Sequence, residues 1–195
     1  MNIRESTSIY GAQIQAYRKQ IGDVQQQRKK LENKIKNTSG GKEKYAGEAA
    51  SLELTYNMLM EKLNEYQDYM EKVNEKKNVI KEGVDTKNQA KAVEEEFENL
   101  GKILTVVRRM IKGDIVPSSD EKKVMEYDDK LYQMAKNAQM MAQMQKEKLK
   151  KHKSLWEDEE PLEMEDGDEV ADNSQAPMGA PEIAEVSDIE INIGE

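Results

Sequence analysis

The sequence predicts an all-α protein: an elongated antiparallel helical bundle or coiled coil with a disordered acidic C-terminal tail. Three observations predict it. Of 195 residues only 36% are hydrophobic and 5% aromatic, whereas 35% are charged. That is too little apolar bulk for a compact α/β or all-β domain, and it suits long helices burying a narrow stripe. Apolar residues recur at alternating spacings of three and four, the 3.5-residue period of a helix seam. Charge is also split along the chain. Residues 157–195 carry fifteen acids and no Lys or Arg, so the net charge of −9 divides into a body of about +6 and a tail of about −15.

The first helix is expected over about 8–36, on the seam Tyr10, Ile14, Tyr17, Ile21, Val24, Arg28, Leu31, Ile35. Asn37-Thr38-Ser39-Gly40-Gly41 is a turn cluster that should end it. The second helix, about 43–82, has the longest seam: Tyr45, Ala49, Leu52, Tyr56, Leu59, Leu63, Tyr66, Met70, Val73, Lys77, Ile80, Val84. Gly83 and Asp85, with Thr86 and Gln89 at capping-box spacing, mark a break before a third helix over about 87–112. Its seam is Ala90, Val93, Phe97, Leu100, Leu104, Val107, Ile111. Gly113 suits a helix C-cap, and Pro117 stops continuation. Ser118 with Glu121 has capping-box spacing at the start of a fourth helix over about 119–154. The weaker seam of this helix is Val124, Tyr127, Leu131, Met134, Ala138, Met141. The helical body is thus 1–156. The tail, 157–195, holds three prolines and too little apolar surface to offset its ordering entropy, except for its Ile-rich end.

Without Cys there is no disulfide, thiolate metal site or Cys nucleophile, and with His152 alone no His-rich metal set forms. No nucleophile–base pair, phosphate loop or zinc motif is present, so neither enzyme activity nor a cofactor is expected. His152, among lysines, reads as a surface residue. No apolar run is long enough to span a membrane. Met1–Tyr10 has no apolar leader region, so a cytoplasmic protein is expected. The basic clusters at 28–36, 108–112 and 146–153 contain no aromatic residue to stack on bases, which disfavours nucleic acid as the partner.

The expected function is that of a scaffold or adaptor. It would bind a protein partner, or further copies of itself as a homo-oligomer, through a coiled-coil seam. The candidate contact residues are Leu52, Tyr56, Leu59, Leu63, Tyr66 and Met70 on the long seam. Arg108, Arg109, Asp114 and Pro117 form a corner in which an arginine could pair with Asp114 or Asp120. Trp156 is a candidate anchor, and Ile189, Ile191 and Ile193 alternate as a strand that could add to a partner's sheet. Alternatives are an export-apparatus chaperone of flagellar or type III kind, a phage-type assembly scaffold, or a nucleic-acid-associated protein gated by its acidic tail.

Arg108-Arg109-Met110-Ile111-Lys112-Gly113-Asp114-Ile115-Val116-Pro117, with Asp120-Glu121 and Leu131-Tyr132-Gln133-Met134-Ala135-Lys136, resembles a helix–turn–helix end in uncharacterised small helical proteins of clostridial-type bacteria. The resemblance covers about residues 103–137. It implies a lineage, and no activity is assigned to that group.

Overall fold

The computed structural model describes residues 1–145 and 148–183. It is an all-helical, multi-helix bundle. Its elements are α1 (Ile3–Asn37), α2 (Gly41–Lys44), α3 (Ala46–Ile111), α4 (Ser118–Tyr127), α5 (Asp129–Gln145) and α6 (Gly167–Asn173). Among the described residues there is no strand, only isolated bridges between Asn2 and Gln175 and between Ile115 and Lys151. No described helix is long and apolar enough to cross a membrane. The chain forms two compact units. One joins Met1–Val84 to the segment beginning at Asp166, and the other is Asp85–Glu165.

In the first unit α1 begins earlier than its seam suggests, because Asn2 and Glu5 form a capping box. The Asn2 side chain accepts from the Glu5 N–H at 2.8 Å, and the Glu5 carboxylate accepts from the Asn2 N–H at 3.0 Å. Thr38 and Gly40, the latter at φ 69°, turn the chain into the single turn α2. The first part of α3 then runs back antiparallel to α1, with Tyr10 beside Tyr66 and Tyr69, and Arg28 over Tyr56. Tyr10, Tyr17, Ile21, Val24 and Leu31 close on Leu52, Leu59, Leu63, Tyr66 and Val73 to form the core. Each such aliphatic side chain contributes about 1.5–3 kcal/mol on burial.

The break expected at 83–86 is absent. Helix α3 continues through Gly83 and Asp85, where one glycine costs only about 1 kcal/mol relative to alanine. The tail also differs from expectation. Residues 157–183 pack on the helices, and Asp166 caps α6 by accepting from the Asp168 and Glu169 N–H groups. Glu159, Glu165, Asp168 and Asp172 have lysine partners on α3, which composition alone does not reveal.

In the second unit Ile103, Val106, Val107 and Met110 of α3 pack with Val116, Val124 and Ala135. Gly113, at φ 82°, ends α3 in a Schellman turn: its N–H donates to Met110 O at 2.7 Å, and that of Asp114 to Arg109 O at 3.0 Å. The expected capping box at Ser118 does not form. Pro117 is the N-cap, and Glu121 turns instead to Lys136 Nζ at 2.7 Å and the Tyr132 hydroxyl at 3.3 Å. The expected fourth helix is two helices. Asp128 leaves helical geometry, and its carboxylate accepts from the Leu131 N–H at 3.1 Å, capping α5. Residues 148–154 are not helical. Ile115 N–H donates to Lys150 O at 2.7 Å, and His152 N–H to Ile115 O at 3.0 Å.

Because α3 is continuous and a Cβ at Gly83 meets no atom within 4 Å, Gly83→Ala should stabilise the protein by about 0.5–1 kcal/mol. Urea unfolding checks this, and a loss of stability would mean the helix is interrupted there.

Candidate functional site

Two places are candidates for a functional site, one in each unit. The first is a cluster of tyrosines. The long seam expected to meet a partner is filled from within the chain. Leu52, Leu59, Leu63 and Tyr66 are buried against α1, and Tyr56 and Met70 pack at the edge of the same core. Sequence periodicity finds the apolar face of a helix but not what covers it. What the periodicity misses is Tyr69, buried one turn after Tyr66 and one residue short of the heptad position at Met70. The ring centroids lie 5.7 Å apart for Tyr10–Tyr66, 4.8 Å for Tyr10–Tyr69 and 5.4 Å for Tyr17–Tyr66. Tilted and edge-on contacts at these distances are favourable for the aromatic quadrupole.

Three of the hydroxyls reach outward to the C-terminal segment. Tyr10 donates to Pro181 O at 2.7 Å, Tyr66 to Glu182 O at 2.8 Å and Tyr69 to Pro177 O at 3.1 Å. Next to them the N-terminus pairs with the same segment, Ile3 N–H to Ser174 O at 2.9 Å and Ala176 N–H to Met1 O at 3.2 Å. The acids of α6 complete the attachment. Lys77 Nζ lies 2.7 Å from Asp172 Oδ1, Lys81 Nζ 2.5 Å from Asp168 Oδ2, and Arg4 3.5 Å from Asp172. Such partly exposed pairs are individually weak, and they act here as a set.

The electrostatics follow from these contacts. The hydrogen bond from Lys81 holds the Asp168 carboxyl below its ordinary range, and that from Lys77 does the same for Asp172. Burial, reinforced by the neighbouring tyrosines, raises the Tyr10 phenol above its usual value, and burial next to Tyr66 raises Tyr17. Acids of residues 157–183 pair with Arg4, Lys77, Lys81, Lys87 and Lys102, which lie outside the three basic clusters marked in the sequence.

In the second unit two carboxylates hold the corner. Asp120 is fully buried. Its carboxylate accepts from Ser154 Oγ at 2.5 Å, Leu155 N–H at 3.1 Å and Ser119 Oγ at 3.1 Å. Asp114 meets His152 Nε2 at 3.1 Å, so this histidine is a half-buried partner rather than the surface residue expected. Gln139 Nε2 donates to Asp114 O at 2.7 Å. Arg109 keeps a buried Nη1 without a hydrogen-bond partner among the described residues, and Arg108 is exposed. Pro117 caps α4. Trp156 packs against the core of this unit, donates to Asn99 Oδ1 at 2.8 Å and lies under the Lys102 ammonium at 5.8 Å. Ile189, Ile191 and Ile193 lie outside the described residues.

The second place is the face of α3 left uncovered in this unit. Its core side uses Ile103, Val106 and Met110, which lie off the heptad seam read in the sequence, together with Val107 of that seam. Whereas Leu100 is half-buried and Val107 buried, four positions of the seam are open: Val93 is 51% exposed, Phe97 70%, Leu104 48% and Ile111 51%. Spaced four, seven and seven residues apart, they form one stripe down the helix. Glu94 and Glu98 flank its upstream end, and Arg108 and Lys112 its downstream end. On α5, Met134, Met141 and Met144 are exposed as well.

Two predictions follow from these contacts. Asp120→Ala strands the Ser154 hydroxyl and the Leu155 N–H, and should cost about 2–4 kcal/mol in denaturant unfolding. Pairing it with Ser154→Ala in a double-mutant cycle should show non-additive coupling. For the tail, the lowered Asp168 and Asp172 values give stability that is present above the ordinary carboxylate range and lost as pH falls through the lowered values. The raised Tyr10 and Tyr17 values give stability that is lost as pH rises through them, above about 10. Tyrosine near-ultraviolet circular dichroism should therefore be flat at neutral pH and fall away at both extremes. Comparison with protein-family models, with curated proteins and with solved structures finds no match to this chain.

Proposed function

We infer that the protein is a non-enzymatic scaffold or adaptor that acts through a coiled-coil seam on α3. The observation that carries the reading is the uncovered stripe Val93, Phe97, Leu104 and Ile111. A large aromatic left 70% exposed on a well-formed helix forgoes stabilisation that contact with another helix would supply, about 1.5–3 kcal/mol per such side chain. The heptad spacing fits a partner helix laid along the stripe, with its own apolar residues between these.

The flanking charges set its direction. Acids lie at the upstream end of the stripe and bases at the downstream end, so an antiparallel partner with the same distribution places Glu94 and Glu98 opposite basic residues and Arg108 and Lys112 opposite acids. A second copy of this face meets that requirement, which makes self-assembly the scaffold form of the reading. A distinct helical protein with the same charge order is the adaptor form. The resemblance of residues 103–137 to clostridial-type proteins contributes no activity to this reading, which rests on the stripe alone.

The test is sedimentation equilibrium of the full chain against its Phe97→Ser, Leu104→Ser variant, together with a crosslinked pulldown from the native cell. The substituted positions are exposed, so helicity should be unchanged. Association, with itself or with a stoichiometric protein partner, should weaken at least about tenfold. Unchanged association in both experiments would overturn the seam.

A further inference from the structure

We propose that the tyrosine cluster of the first unit is a binding groove for an extended, proline-bracketed peptide preceded by two acids, and that residues 166–183 fill it in cis. This goes beyond the seam on α3 and does not depend on it.

The contacts that hold the segment are of an exchangeable kind. All three phenol hydroxyls donate to main-chain carbonyls, those of Pro177, Pro181 and Glu182. Every peptide carries such acceptors, and recognition of extended proline-containing segments works through them. Between the prolines the side chains contribute almost nothing. Met178 is 92% exposed, and Gly179 and Ala180 are exposed too. A segment serving only to seal the core would bury side chains there; this one offers carbonyls. The prolines restrict the chain before it docks, so less entropy is lost on binding.

The groove also carries an address. Lys77 and Lys81, one turn apart on α3, meet Asp172 and Asp168, one turn apart on α6, and Arg4 adds a second cation at Asp172. These ion pairs lie upstream of the proline contacts and fix both the direction and the register of the bound segment. The groove stands without its occupant, because Tyr10, Tyr17, Tyr66 and Tyr69 support one another through ring contacts within the α1–α3 hairpin. A tethered occupant competes at an effective concentration in the millimolar range, so an outside ligand gains access only when the tethered contact weakens.

The experiment uses the full chain and, as probe, a fluorescein-labelled synthetic peptide with the sequence of residues 164–183. Asp168→Asn with Asp172→Asn weakens the internal competitor and leaves the groove intact. By fluorescence polarisation this variant should bind the peptide at least about tenfold more tightly than the unaltered chain. Tyr69→Phe in the same background should weaken binding about fivefold, the worth of one hydrogen bond. Replacing both prolines of the peptide by glycine should also weaken it, and this arm decides the matter if Tyr69→Phe lowers helicity. Equal binding by variant and unaltered chain, no binding at millimolar peptide, or binding indifferent to the prolines would each overturn the proposal.

Discussion

A phenol hydroxyl removed from water needs an acceptor, and four tyrosines of the first unit are buried. Two packed helices offer few acceptors to a side chain from outside, because their carbonyls already take part in i→i−4 bonds. The carbonyls come instead from chain without regular structure, at Pro177, Pro181 and Glu182. Much else in this unit follows from that need. The segment has to reach the tyrosines, so α6 is set by its acids against Lys77 and Lys81. The start of α1 is pinned beside it, and Ile3 and Ser6 become fully buried.

The second unit answers the same need with other residues. Its buried carboxylate at Asp120, the His152–Asp114 contact and the indole N–H of Trp156 are satisfied by chain that follows α5 or by a side chain on α3. In both units, then, regular helices supply the apolar contacts and irregular segments close the polar groups that burial creates. The division of labour also explains the uncovered stripe on α3. The side of that helix facing α4 and α5 is apolar, another receives Lys102 and Asn99 contacts from residues 156–159, and the third has no described chain against it.

The hairpin of α1 and the first part of α3 was legible in the sequence because seam periodicity and the Asn37–Gly41 turn are local signals. The Gly113 corner was legible for the same reason, since a left-handed glycine before Asp114 is a local requirement. What escaped is nonlocal. The partner of Tyr69 lies 108 residues away, and the carboxylate that meets Lys77 lies 95 away. Composition described 157–195 as solvated chain because its fifteen acids and few apolar residues were counted together, whereas Asp168 and Asp172 of α6 each stand opposite a lysine of α3. The heptad of residues 90–111 was legible as a spacing, which does not say what covers it. Periodicity records which side chains share a face, and Ile103, Val106 and Met110, joined by Val107 of the heptad, show that the core took an adjoining face of the same helix.

The long separation between the tyrosines and their acceptors has a temporal side. A chain emerges from synthesis in order, and helical hairpins form from local contacts far faster than residues are added. Tyr10, Tyr66 and Tyr69 are therefore together on a folded hairpin before Pro177 has been made. With 108 residues still to add at about 5–20 residues per second, the cluster waits roughly five to twenty seconds for its own segment. During that interval its hydroxyls face water, and the first extended chain to arrive need not be its own.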